Sequence, residues 1–139
     1  MSARRKTAWI GGGRWQGSRL TDVWALPLYG EVHRWRHLAD TGAQLSRVDG
    51  LAYDAYRRAL LAVGPSTDET TLRVVAIDPT SGATSVLFEW SRSPATTDRY
   101  EVAVGDHQTV YLGVVGPTAY RVLRIARDGS VRGVDPNQG

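Results

Sequence analysis

The sequence predicts an all-β chain made of consecutive small antiparallel sheets, and three observations carry that expectation. A short unit recurs at equal intervals along the chain. Strand-length apolar runs end in glycine and are separated by polar turn segments. With 15 glycines, 42% hydrophobic and 22% charged residues, the composition is that of a turn-rich β protein and lies outside the disordered classes.

The recurring unit is clearest in Asp49-Gly50-Leu51-Ala52-Tyr53-Asp54-Ala55-Tyr56-Arg57-Arg58-Ala59-Leu60-Leu61-Ala62-Val63-Gly64. Leu51, Ala52 and Tyr53 lead into a polar turn at 54–58, and the apolar run 59–63 ends at Gly64, which reads as strand, turn, strand. The same element returns around Gly116, where a polar turn at 107–109 precedes an apolar run at 110–115. Asp54 then matches Asp106, Leu60 matches Leu112, and Val63 matches Val115. In the other direction Arg57 to Gly64 align on Arg5-Lys6-Thr7-Ala8-Trp9-Ile10-Gly11-Gly12, so that Gly12, Gly64 and Gly116 stand 52 residues apart. A period of about 50 residues marks a repeat architecture in which each unit is one small sheet stacked on its neighbours.

A chain of 139 residues is normally one domain and buries roughly two thirds of the surface its unfolded form exposes. Its longest apolar runs are about a strand in length, far below the roughly 20 residues of a membrane-crossing helix. Arg4-Arg5-Lys6 has the charge of a signal-peptide start. Only Ala8-Trp9-Ile10 separates it from Gly11-Gly12-Gly13, so the apolar stretch of a secretory signal is missing. The absence of cysteine excludes disulfides, thiolate metal sites and a cysteine nucleophile, and leaves the compartment open. The net charge of +3 is spread over single arginines, which argues for solubility and against a nucleic-acid footprint.

In chain order, the first apolar element is 8–10, closed by the glycine triplet, and a loop at 14–20 follows. Trp24, Leu26 and Leu28 alternate onto one face, the period of a half-buried strand, and Pro27 marks an edge or the end of pairing. Tyr29-Gly30 turns the chain into a further strand-like segment at 31–38, and a loop runs from Asp40-Thr41-Gly42 to Ser46-Arg47. A second unit reads as strands at 50–53, 59–63, 71–78 and 84–90, with Asp78-Pro79-Thr80-Ser81-Gly82 as a hairpin turn. A third reads as 100–104, 110–115, 120–126 and a short 131–134, turned at Arg127-Asp128-Gly129.

The order Gly11-Gly12, a polar loop, Asp22-Val23-Trp24-Ala25-Leu26, Trp35-Arg36-His37-Leu38, Gly42, Arg47 and Leu51-Ala52-Tyr53-Asp54 resembles the kelch repeat of β-propellers. In that family each repeat builds one four-stranded blade. In the second copy a single Gly64 stands where a pair is expected and Val75 replaces the tryptophan at Trp24, while Trp90 closes the last strand as Trp35 does earlier. The third copy keeps Gly116 with Val122, Leu123 and Ile125. The resemblance implies a kelch-like β-propeller fragment of consecutive blades at roughly 8–38, 49–90 and 100–134, between a basic tail at 1–7 and a tail at 135–139. The first blade would lack its innermost strand. Because a propeller loses its sheet edges only by closing a ring of about four to eight blades, the expectation is a piece of a longer kelch protein, with self-association of two copies toward six blades as the competing idea.

Candidate chemistry follows from the same residues. Gly12-Gly13-Arg14-Trp15-Gln16-Gly17-Ser18 has the glycine spacing of a phosphate loop, yet Ser18 stands where the lysine is required and a strand follows in place of a helix. His33 and His37 would share a strand face with Trp35, but two imidazoles are not a metal site without a third ligand. His107 reads as a solvated turn residue. Asp68-Glu69, Asp98 and Glu101 read as loop carboxylates with no tuning for acid or base work, and no nucleophile motif accompanies them. Arg14, Trp15 and Arg19, an aromatic between cations in a loop linking two strands, form the preferred binding patch.

The expected function is a non-catalytic interaction module, or part of one, that contacts a protein or glycan through its loops and needs no cofactor. The alternative implied by the resemblance is part of a galactose-oxidase-like propeller enzyme. Its cofactor crosslinks a tyrosine to a cysteine, and this chain contains no cysteine.

Overall fold

A computed structural model describes residues 7–12, 14–15, 18–19, 21–28, 30, 34–106 and 108–134. Among them the chain is all β: strands without helices. Three antiparallel sheets follow one another along the sequence. The first contains β1 (Thr7–Gly11), β4 (Asp22–Pro27) and β5 (Arg36–Asp40), in that order. A small hairpin, β2 (Arg14–Trp15) with β3 (Ser18–Arg19), is inserted between β1 and β4. The second sheet is the meander β6 (Gly50–Asp54), β7 (Ala59–Pro65), β8 (Thr71–Ile77) and β9 (Thr84–Ser91). The third repeats it with β10 (Arg99–Val104), β11 (Val110–Val115), β12 (Tyr120–Ile125) and β13 (Val131–Val134).

Local chemistry sets the turns. Asp54 closes the β6–β7 turn by accepting the N–H groups of Tyr56 and Arg57 at 2.9 and 3.2 Å, and Asp78 does the same for Thr80 and Ser81 before β9. Short side-chain acceptors of this kind offer the backbone a turn in place of a ladder. The last two strands of each of the first two sheets meet through a bulge: Leu38 is the extra residue between Ala39 and His37, and Leu87 the extra residue between Phe88 and Val86. Each bulge bends the outermost strand and adds twist.

The sheets stack face to face in chain order. We call the face turned toward the preceding sheet the front and the other the rear. Val23, Ala25, Leu38 and Ala39 on the rear of the first sheet pack with Leu60, Ala62, Val75 and Ile77 on the front of the second. Leu61, Val63, Leu72 and Val74 on its rear pack with Tyr100, Val110, Leu112, Val114 and Ile125 on the front of the third. β7 therefore serves both seams and is buried along its whole length, which explains why 59–63 reads as a continuous apolar run. Each fully buried leucine here contributes roughly 1.5–3 kcal/mol.

The first sheet departs from the sequence reading in two places. Trp24 and Leu26 do share a face, but it is the front: Trp24 is 40% exposed while Val23 and Ala25 enter the core. The strand expected at 31–38 begins only at Arg36 and runs to Asp40; Arg34 and Trp35 precede it, and residues 31–33 lie outside the described part.

Two glycines set the spacing of the first seam. The segment between β5 and β6 runs beside the end of β7, with Leu45 bridging Ser66 and the Asp49 N–H donating to the Val63 carbonyl at 2.8 Å. A Cβ on Gly64 would stand 2.0 Å from the Arg47 carbonyl oxygen, and one on Gly12 would stand 2.3 Å from that of Val48. Gly12 also adopts φ +80, a conformation that suits glycine.

The second seam is tied by arginines. Buried Arg47 donates through Nε to Asp49 Oδ1 at 2.7 Å and through Nη2 to the Asp98 carbonyl at 2.9 Å. At the other end of the sheets Arg57 pairs with buried Asp54 at 2.5 Å and donates to the Gln108 carbonyl at 3.3 Å.

Two outcomes follow. Gly64→Ala is expected to destabilise the fold by about 1–3 kcal/mol or more, whereas Gly133→Ala, with nothing within 4 Å of the added carbon, changes it little; urea midpoints measure the difference. Arg47→Ala, which leaves the Asp49 carboxylate buried without its cation, is expected to cost about 3–5 kcal/mol. The Arg47→Ala/Asp49→Ala double variant should lose less than the two single losses combined, as a double-mutant cycle in urea would read.

Candidate functional site

Where the second and third sheets diverge, beyond the packed part of their seam, a cleft of about 480 Å³ opens. Its position follows from strand order. The first strands meet closely, with a Cβ on Gly50 of β6 only 3.2 Å from Glu101 Cα of β10. The outer strands carry Trp90 on one side and Val131 on the other, and both line the opening.

The walls are apolar: Leu72 and Trp90 from β8 and β9, and Leu112, Leu123 and Val131 from the third sheet. Leu72 and Trp90 are cross-strand partners, and the indole stacks on Phe88 with ring centroids 5.8 Å apart. Aromatic pairs of this kind gain about 0.5–1.5 kcal/mol beyond their buried area, which favours this placement of the indole in the wall.

Arg92 braces the cleft at the start of the segment joining the two sheets. Its guanidinium donates to the Tyr100 hydroxyl at 2.7 Å, to the Glu69 carbonyl at 2.9 Å and to the Thr96 carbonyl at 3.3 Å. It also lies 5.7 Å from the Tyr100 ring centroid. With its donors engaged in this way, Arg92 is a strut. Arg121 and Asp98 also line the cleft and differ from it. The Asp98 backbone is bound at both ends, its N–H to Thr96 Oγ1 at 3.2 Å and its carbonyl to Arg47. Its carboxylate and the Arg121 guanidinium make no ion pair with each other or with another described residue.

The sequence-selected patch is brought together only in backbone terms. Arg14 pairs with Arg19 and Trp15 with Ser18 in the β2–β3 hairpin; the side chains of these residues lie outside the described part of the structure. His33 and His107 lie outside it as well. His37 sits on β5 with Nε2 2.9 Å from Asp22 Oδ1 and its ring edge-on to Trp24 at 5.0 Å. An acidic neighbour is thus fixed beside His37, yet no group of three His, Cys, Asp or Glu that could hold a metal occurs among the described residues. Trp35 is 49% exposed and packs in neither seam.

The carboxylates with displaced pKa values all move downward. Asp68 is lowered to about 2 by the hydroxyls of Ser66 and Thr70, each at 2.7 Å, and by the Thr70 N–H. Asp40 is lowered by the Thr21 hydroxyl at 2.6 Å and the Gly42 N–H, Asp78 by the N–H groups of Ser81 and Thr80, and Asp128 by that of Ser130. A general acid at neutral pH needs the opposite displacement. These groups hold turns, and the arrangement in the cleft is suited to binding an apolar group with charged neighbours.

No protein-family model matches this chain, and no match was found among curated proteins.

The pH dependence of stability has a definite sign. Carboxylates lowered in the folded state give stability that is complete above their unfolded pKa, near 3.8, and is lost as pH falls through the folded value. The thermal midpoint, followed by circular dichroism, should therefore be flat from about pH 7 to 5 and fall between about pH 4 and 2. Asp68→Asn should make that fall shallower.

Proposed function

We propose that this chain is a non-catalytic interaction module, an arc of kelch-like propeller blades that binds a segment of a partner protein in the cleft between its second and third sheets. Several features support the propeller reading. The meander repeats, a bulge recurs between the last two strands of the first and second sheets, and Gly12, Gly64 and Gly116 fall at the ends of β1, β7 and β11. The observation that carries the binding reading is the cleft itself: apolar walls, with Arg121 and Asp98, which make no ion pair among the described residues, beside them. An apolar side chain entering between Trp90 and Val131 would leave water, and flanking charges on the partner would meet Arg121 and Asp98. A glycan, rich in hydroxyls, is a poorer complement to such walls. The β2–β3 hairpin, which aligns Arg14 with Arg19 and Trp15 with Ser18, gives a second reading in which Arg14, Trp15 and Arg19 contact the partner.

Selection from a displayed random-peptide library, with a glycan array run in parallel, tests both. Selected peptides are expected to carry a large apolar residue beside a charge. Val131→Glu and Arg121→Ala should each weaken their binding about tenfold, roughly 1.4 kcal/mol, with the fold retained. Loss of binding in Trp15→Ala alone would move the site to the hairpin, and enrichment of glycans without peptides would overturn the protein reading.

A further inference from the structure

Both interior seams are built alike, the rear of one sheet against the front of the next. Two faces are left without a sheet against them among the described residues: the front of the first sheet and the rear of the third. These are not ordinary solvent faces. In the 52-residue register, Leu60 and Ala62, buried on the front of the second sheet, correspond to Ala8 and Ile10. Ala59, Leu61 and Val63, buried on its rear, correspond to Tyr111, Gly113 and Val115. The open front thus carries the counterparts of a buried front, and the open rear those of a buried rear.

Their exposed residues agree with this. Ile10 is 57% exposed and pairs across the ladder with the half-exposed Trp24. On the open rear, Tyr120 is 58% exposed and stands directly opposite Val115. The charges are of opposite sign. Asp22 and Asp40 face each other on the open front, which carries His37 beside Asp22 but takes no arginine or lysine from β1, β4 or β5. On the open rear, Arg124 and Arg132 face each other and Arg99 adds a third cation, against Glu101 alone. Like charges placed directly opposite, as Arg124 and Arg132 are, destabilise an isolated ladder, and an acidic face laid over them relieves this.

We propose that the two open faces bind each other between copies of this chain, the rear of the third sheet of one copy lying on the front of the first sheet of another. The contact is head-to-tail. One such seam, roughly 14 by 17 Å where the three strands of the first sheet, about five residues each, set the contact, is small beside the roughly 800 Å² per partner of a stable complex. A closed pair presents two such seams at once, which favours two copies over an open chain. The inference is independent of the cleft and of what enters it.

Sedimentation equilibrium across a concentration series tests it on the whole chain. The wild type is expected to be dimeric at micromolar concentration. Ile10→Arg, which turns a cation toward the basic rear, and Tyr120→Glu, which turns an anion toward the acidic front, should each raise the dissociation constant at least tenfold. Both residues are exposed, and matching circular dichroism spectra and urea midpoints would show the fold intact. The Ile10→Arg/Tyr120→Glu double variant should regain much of the association, because the two new charges attract across the seam. A wild type that is monomeric at 100 micromolar would overturn the proposal. So would a dimer disrupted by only one of the single variants, which indicates a front-to-front or rear-to-rear contact, or a double variant no better than the singles.

Discussion

The segment joining the first sheet to the second is held between two glycines, and much of the architecture depends on that close passage. Val48 presents its carbonyl where a side chain on Gly12 would be, and Arg47 presents its own where a side chain on Gly64 would be. A methyl group at either position would collide with backbone, which unlike a flexible side chain cannot swing away. With both sites open, the first two sheets close on a core in which Leu60, Val75 and Ile77 reach almost complete burial. The same passage fixes Arg47, and from that position its guanidinium reaches forward to the Asp98 carbonyl, in the corresponding segment before the third sheet. One close approach thus sets one seam and reaches the next.

The arginine ties explain how small sheets with few crossing hydrogen bonds keep a fixed relation. Apolar seams are tolerant of sliding because dispersion and water exclusion have little directional preference. A guanidinium bound to both a carboxylate and a distant carbonyl is directional. Arg47 and Arg57 each make such a pair of contacts, and each spans 51 residues to its carbonyl partner. They act at opposite ends of the second seam and fix its register. Of their carboxylate partners, Asp49 immediately precedes the first strand of the second sheet and Asp54 ends it, so the same contacts also anchor β6.

Most of the strand plan was legible in the sequence because glycine and Asx punctuation mark both ends of each hairpin. The apolar run at 59–63 and the turn at 78–82 lie where the residues place them, and Gly64 proved to be a contact point as well as a stop. The side of the first sheet that faces the core was not legible. Alternation shows that Trp24, Leu26 and Leu28 share a face, but not whether that face or the Val23 and Ala25 face finds a partner sheet. In β4 the larger residues lie on the open side, while Trp9 and Leu38 from the neighbouring strands fill the seam beside Val23 and Ala25. The bulge at Leu38 was hidden for a related reason: one inserted residue breaks the period of two. The cleft was illegible altogether, since Trp90, Asp98, Arg121 and Val131 converge only through the stacking of two sheets.

Among the described residues the second sheet is the one member of the stack whose two faces are both covered, and this asymmetry orders the molecule energetically. β7 has buried residues on either side and neighbours in its own ladder on both edges, so it opens only when both seams do. The outer strands of the third sheet have one apolar face against the seam and the other toward solvent, and β13 is exposed along its length. Regions with few buried contacts open locally at lower cost than the core. The cleft lies between these extremes. Its Trp90 wall belongs to the rigid second sheet, whereas its Val131 wall belongs to the strand with the least burial. A group entering there would add contacts where the third sheet has fewest, and its binding would therefore stabilise the part of the fold that is weakest alone. A sheet laid on the open rear face would act on the same strands from the other side.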